Sequence, residues 1–262
     1  MDILHDEQNA GSLFNQIRAR VRRTLSDGVQ LDMSTQESRK LLRRHANSKT
    51  NFVFLFVDIN NSTQMSLSLQ EDKFALLIQI FAQEVSVAVS GYGGYVFKYV
   101  GDAVIVLFPA GHDRKKACIN AINCSRAILG IIQEIISPIL EQMKLPYIKV
   151  RIGIDYGEVL VVVYGKDIQR AHIDVLGSAI NIAAKIASIT QANQILVGES
   201  IYNILCQPTD KGVGIDKANP LHEIKLDTSK WNYPSYLNVG SIYRVYEYIC
   251  QEKLGSGFHI QV

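Results

Sequence analysis

An α+β fold is predicted, a ferredoxin-like split βαβ antiparallel sheet with helices on one face, and three features of the sequence predict it. Short apolar runs rich in Val, Ile and Phe alternate with longer segments whose apolar residues recur at helical spacing. Their order is strand, helix, strand, strand, helix, strand, which is that of the split βαβ unit. The two middle strands are separated only by Gly101 and Asp102, the length of a tight hairpin.

Residues 1–48 read as an N-terminal basic amphipathic helical extension. Leu13, Ile17, Val21 and Leu25 recur every four residues among Arg18, Arg20, Arg22 and Arg23, and Asp27 and Gly28 mark a break. A solvated basic face whose apolar stripe packs on a partner subunit is the expected role, with a membrane-surface or calmodulin-like role as the alternative. Residues 49–206 form the central unit. It opens with "NFVFLFVDI", an apolar run of strand length that ends in the polar "NNST". Phe74, Leu77, Ile78, Phe81, Val85 and Val89 follow at helical spacing until Gly91, Gly93 and Gly94 stop the helix. "YVFKYV" and "AVIVLFP" make the hairpin, and a second helix aligns Ala117, Ala121, Cys124, Ile128, Ile131, Ile135 and Ile139. Pro146 precedes the strand "YIKVRIGIDYG", after which come a further strand "EVLVVVYG", a helix from about Gly177 to Ile189, the strand "QILVG" and a helix behind it. Residues 207–262 hold a surface excursion from Thr209 to Gly240, rich in Asp, Asn, Pro and Ser, and a final strand "SIYRVYEYI" that completes the domain.

Hydrophobic residues at 47 % and charged residues at 20 % are the balance of a chain able to bury a sizeable core. A formal charge of +2 argues against nucleic-acid binding, which wants a concentrated basic face. Cys118, Cys124, Cys206 and Cys250 show no metal-ligand spacing and read as reduced thiols. No apolar run approaches the ~20 residues of a membrane span and no signal-peptide core opens the chain, so a cytoplasmic protein is expected.

Asp58 closes a buried strand and Asp102 sits in the hairpin turn, so in this topology both carboxylates reach one end of the sheet. Two convergent carboxylates suit Mg²⁺, which prefers hard oxygen ligands. Each aspartate taken alone suits capping of a turn or helix equally well. Asn61, Ser62 and Thr63 lead into a helix whose first amides could hold phosphate oxygens, although the glycines of a Walker loop are absent.

"FVFLFVDINNST", "GGYVFKYVGDAVIVLFP", "VRIGIDYGEV" and "HIDVLGSAINIAAKIAS", in this order, resemble the catalytic domain of class III adenylyl and guanylyl cyclases over about Asn51 to Leu205. The resemblance implies the class III elaboration of the sheet. It assigns a two-ion Mg²⁺ (or Mn²⁺) site to Asp58, Ile59 and Asp102. It places Lys98 and Asp174 against the base, where a donor and an acceptor favour adenine. It gives Asn181 to the ribose, and Lys185 to the position where the family usually carries an arginine opposing charge on the reacting phosphate. Lysine keeps the charge but loses the two-pronged guanidinium. Glu158 stands where some members have a phosphate-binding arginine, and Lys225 and Arg244 are candidates for a further basic contact.

Together these imply an adenylate cyclase that turns ATP into 3′,5′-cyclic AMP and pyrophosphate in a homodimer with shared sites, with no membrane span and with room for a regulatory partner. The alternatives are a cyclase with guanine or pyrimidine preference and a catalytically weak nucleotide-binding regulatory dimer. A diguanylate cyclase is disfavoured because "YVGDAV" does not supply a GG[DE]EF-type hairpin.

Overall fold

The computed structural model describes residues 3–31, 33–206 and 220–249, with side chains from Phe14 onward. Cys250 and the 209–219 part of the expected excursion lie outside the described residues, as do residues 207 and 208. The elements are α1 (Ile3–Asp27), α2 (Gln36–Arg43), β1 (Lys49–Ile59), α3 (Ser62–Ser68), α4 (Glu71–Gly91), β2 (Tyr95–Val100), β3 (Ala103–Pro109), α5 (Arg114–Gly130), a π-helical stretch (Ile131–Ile136), α6 (Ser137–Gln142), β4 (Val150–Tyr164), β5 (His172–Leu176), α7 (Ser178–Ile189), β6 (Gln194–Gly198), α8 (Glu199–Cys206), β7 (Leu221–Glu223) and β8 (Val245–Tyr248).

The sheet runs β2-β3-β1-β4-β6-β8-β7, with β5 paired to β4. Its first four strands are antiparallel in the order 2-3-1-4, the split βαβ arrangement, while β6 lies parallel to β4. β1 is buried on both faces, which is why its sequence is a continuous apolar run and not an alternating one. Val53, Leu55, Val57 and Ile59 pack with α4 and α5, whereas Phe52 and Phe54 join Leu42 of α2 and Ala179 and Ala183 of α7 on the other face. The expectation of helices on one face is therefore corrected: α2 and α7 cover part of the second.

α1 also departs from expectation. Ile17 and Val21 are buried in the chain's own core, not held for a partner subunit. Arg20 is not merely solvated, because its Nε and Nη2 donate to the buried Glu84 carboxylate at 2.8 and 2.5 Å. The second long helix follows its predicted face but passes through the π-helical stretch at Ile131–Ile136. Pro138 cannot donate to the carbonyl four residues back and crowds it, and the wider turn just before it relieves both. α4 and the Arg114–Gln142 helix are long and apolar enough to cross a membrane by composition, contrary to the expectation that no segment approaches this length. Their apolarity has another cause here, since both pack against the sheet.

"YIKVRIGIDYG" and "EVLVVVYG" form one 15-residue strand, β4, because Gly157 keeps its pairing with Phe52. Its far half pairs with β5, for which the sequence predicts no strand. Gly153 and Gly157 let α7 ride directly on β4: a Cβ at Gly153 would stand 2.4 Å from the Ala187 amide nitrogen. The described part of the excursion is not merely superficial. Trp231 is fully buried and its Nε1 donates to the Tyr243 carbonyl at 2.8 Å. The buried Asp155 accepts from Ser200 and from the Tyr243 hydroxyl, and the buried Glu199 accepts from Ser235 at 2.9 Å.

Candidate active site

Strand register builds an acidic corner at the end of β1. Asp58 lies opposite Ala103, the first residue of β3, and opposite Arg151 on β4. Asp102 occupies the β2–β3 turn beside Gly101, whose φ of +60° suits glycine. The Ile59 amide donates to the Asp102 carbonyl at 3.3 Å and ties the strand end to the turn. Asp58 accepts a hydrogen bond from Arg151, and the Asp102 carboxyl lies close enough to perturb its titration. Burial, followed by the neighbouring Asp102 carboxyl, lifts the Asp58 carboxyl to about 6, against the pull of Arg151.

Asp102 and Gly101 border an open cleft of about 540 Å³ whose other wall includes Ser62, Thr63 and Ser66 of α3 and Phe74 of α4. Asn61, with φ 59°, turns the chain from β1 into α3 and so brings Ser62 and Thr63 to this wall. The donors are all hard oxygens and fit Mg²⁺ or Mn²⁺ better than a soft metal. No group of three or more His, Cys, Asp or Glu side chains forms among the described residues, so an ion here would rest on two carboxylates, main-chain oxygen, water and substrate.

A second cluster joins β2 to β5. A bulge between Val96 and Lys98 sets Lys98 opposite Ile105, so that Phe97 and Lys98 both leave the α4 side of the sheet. The Lys98 ammonium then meets Asp174 Oδ2 at 2.5 Å and lies 4.7 Å from the centre of the Phe97 ring. Asp174 Oδ1 accepts from the Val175 amide at 2.8 Å. Burial pushes the Asp174 carboxyl up, but the bonds from Lys98 and Val175 outweigh it and leave it below its ordinary value. His172 Nε2 stands 3.6 Å from the same carboxylate.

The third cluster is the exposed stripe of α7. Ala179, Ala183 and Ile186 point into the molecule, which turns Asn181 and Lys185, one helical turn apart, to solvent. The residues singled out in the sequence thus fall into three groups: Asp58 with Asp102, near Ile59, Asn61, Ser62 and Thr63; Lys98 with Asp174; and Asn181 with Lys185. Glu158 is paired with Lys49 at 3.0 Å. Arg244 is engaged by Glu199 and Glu223, whereas Lys225 is exposed. Arg151 and His172 were not singled out by sequence. The one signal for Arg151 was alternation in "VRIGI", which places it on the face opposite Val150 and Ile152.

Residues 45–226 match the adenylate and guanylate cyclase catalytic domain family. The chain belongs to that family. Among curated proteins it is similar to a cytidylate cyclase of Staphylococcus aureus, 28 % identical over 70 % of this chain and 47 % of the relative. It is also similar to an adenylate cyclase of Anabaena cylindrica, 29 % identical over 69 % of this chain and 38 % of the relative. The chain therefore spans less than half the length of these relatives. Among solved structures it shares the fold of the adenylyl cyclase CyaB from P. aeruginosa, with a TM-score of 0.62 and 21 % identity, covering 80 % of this chain and 98 % of that one.

Proposed function

We propose that this cyclase domain converts ATP to 3′,5′-cyclic AMP and pyrophosphate in a homodimer whose two sites are shared between subunits. The observation that carries the base assignment is the Lys98–Asp174 pair, which sets a donor and an acceptor side by side. Adenine offers the matching edge, a ring nitrogen that accepts beside an amino group that donates. Guanine and uracil offer the inverse pattern, an N–H beside a carbonyl, and would leave both protein groups unpaired.

Asp58, Asp102 and the Ile59 carbonyl would hold Mg²⁺ or Mn²⁺, two ions per site with the triphosphate. When bound, such ions lower the pKa of the attacking hydroxyl and offset charge on the phosphates. The ribose 3′-oxygen attacks the α-phosphorus, the bond to pyrophosphate breaks, and the hydroxyl proton passes to water or substrate phosphate. Asn181 orients the ribose and Lys185 opposes the charge that grows on the α-phosphate. Ser62, Thr63 and the first amides of α3 receive phosphate oxygens. Asn181 and Lys185 stand on an exposed helix face while the acidic corner lies at the end of β1, and a two-fold dimer would bring each to the other's subunit.

One second reading is favoured by the same observation. Cytosine presents the same acceptor and amino donor as adenine, so the Lys98–Asp174 pair selects amino bases without measuring ring size, in keeping with similarity to a cytidylate cyclase. Incubating the protein with ATP, CTP, GTP and UTP and identifying products by mass tests both readings. Cyclic AMP from ATP is expected, and cyclic CMP as the main product would replace the substrate while keeping the mechanism. Cyclic GMP or cyclic UMP as the main product would overturn the role given to Lys98 and Asp174.

A further inference from the structure

We infer that Arg151 is a positioning residue for Asp58: its guanidinium, directly opposite on β4, fixes the carboxylate at the strand end beside the turn that carries Asp102 and so prepares the pair for a divalent cation. The inference rests on the metal reading of Asp58 and Asp102 given above and adds to it a residue from a different strand.

The geometry is set by the sheet. Asp58 and Arg151 are register partners at one edge of the β1–β4 ladder, where side chains directly across from each other lie about 5 Å apart at Cβ. Asp58 continues the face of Phe52, Phe54 and Phe56, and Arg151 leaves β4 on the same side because Val150 and Ile152 fill the other. Asp58 is thus flanked by an acid from the β3 side and a base from the β4 side. Arg151 Nη2 donates to Asp58 Oδ2, while its Nε is buried without a hydrogen-bond partner, so Asp58 is the group that anchors this guanidinium.

Two adjacent carboxylates repel when both are ionised, and with no third group they would splay or share a proton. Arg151 offsets one of the two charges, and its hydrogen bond takes only Oδ2 of Asp58. A planar guanidinium suits this because it holds a carboxylate at a defined angle, which an ammonium on a flexible stem does not. Residues that orient metal-binding side chains in this way typically change metal affinity about 10–100-fold when removed.

The test is Mn²⁺ binding without nucleotide, read as the loss of free-ion signal in electron paramagnetic resonance at pH 8, on the full chain. Asp58→Asn is the control, and thermal melts report folding. Arg151→Gln is expected to bind Mn²⁺ about 10–100-fold more weakly than wild type. Arg151→Lys, which keeps the charge and folds more readily, is expected to bind several-fold more weakly. Either Arg151 variant binding Mn²⁺ as tightly as wild type, while Asp58→Asn has lost it, would overturn the inference and leave the metal site standing. Unchanged Mn²⁺ binding by Asp58→Asn would overturn the metal reading itself, and this inference with it.

Discussion

The Lys98 ammonium and the Asp174 carboxylate meet at 2.5 Å, although 76 positions separate them in the chain and they stand on strands that do not pair with each other. Two local features make the contact. The bulge at Val96–Lys98 re-aims the lysine, and β4, extended past the edge of β1, carries β5 and its aspartate across. The pair is half-buried, so each group holds the other's charge, and in the proposed function a base would exchange partners with both. Removing one member should then damage selectivity as much as affinity. Asp174→Ala is expected to lower kcat/KM for ATP by about 100-fold and to narrow the preference for ATP over GTP, because Lys98 left alone bonds to a guanine carbonyl equally well. Steady-state kinetics with both nucleotides checks this.

Asp58 must be ionised to serve as a ligand, and its carboxyl is held at about 6. Mn²⁺ affinity is therefore expected to be level above pH 7 and to fall about tenfold per pH unit once the pH drops below 6, as protons displace the ion. Titration at several pH values reads the inflection directly. An inflection near pH 4 would mean that burial does not hold this group.

Asp155 makes a different prediction, about stability. It is fully buried, and burial lifts its carboxyl from 3.8 to about 7 despite bonds from Ser200 and Tyr243. Between these values the folded state holds a proton that the unfolded state has released. Stability should fall as pH rises from about 4 to 7, by on the order of a few kcal/mol, and level off above. Asp155→Asn removes the titration and should flatten that slope in urea melts taken across this range.

Gly153→Ala is expected to cost at least about 2 kcal/mol and to depress activity, because the added methyl would meet the α7 backbone, which cannot yield as a flexible side chain would. Gly111→Ala, with nothing within 4 Å of the new Cβ, should change stability by less than about 0.5 kcal/mol. Thermal and denaturant unfolding of both variants gives the comparison.

Under the proposed function, Lys185→Arg would give the α-phosphate a planar, two-pronged donor in place of an ammonium. It is expected to raise kcat about tenfold with little change in KM, since the contact is strongest as charge develops in the transition state. An unchanged kcat would show that Lys185 does not touch the reacting phosphate.

Much of the fold was legible because its signals are local. The apolar run of β1, the glycine stop after α4 and the Gly101–Asp102 turn each report their own structure, and the split βαβ order follows. What escaped was non-local. "HIDVL" is too short to announce a strand without β4 beside it, and the π-helical stretch repeats the apolar spacing of an ordinary helix. That Ile17 and Val21 pack inside their own chain is invisible to periodicity, which shows an apolar stripe and not what covers it. The same limit applied to the site. Asp58 and Asp102 could be brought together from topology, whereas Arg151 entered only through the β1–β4 register, which no spacing encodes.

The shared site is the claim on which the account turns, and complementation tests it most directly. Asp58→Ala and Asn181→Ala chains are assayed for cyclic nucleotide production alone and after mixing under conditions in which subunits exchange. Each variant alone should be nearly inactive, and the mixture should recover up to about a quarter of wild-type activity, since half of the dimers are mixed and each carries one intact site. Mixed dimers that form and remain inactive, or either variant active by itself, would contradict a site built from Asp58 of one subunit and Asn181 of the other.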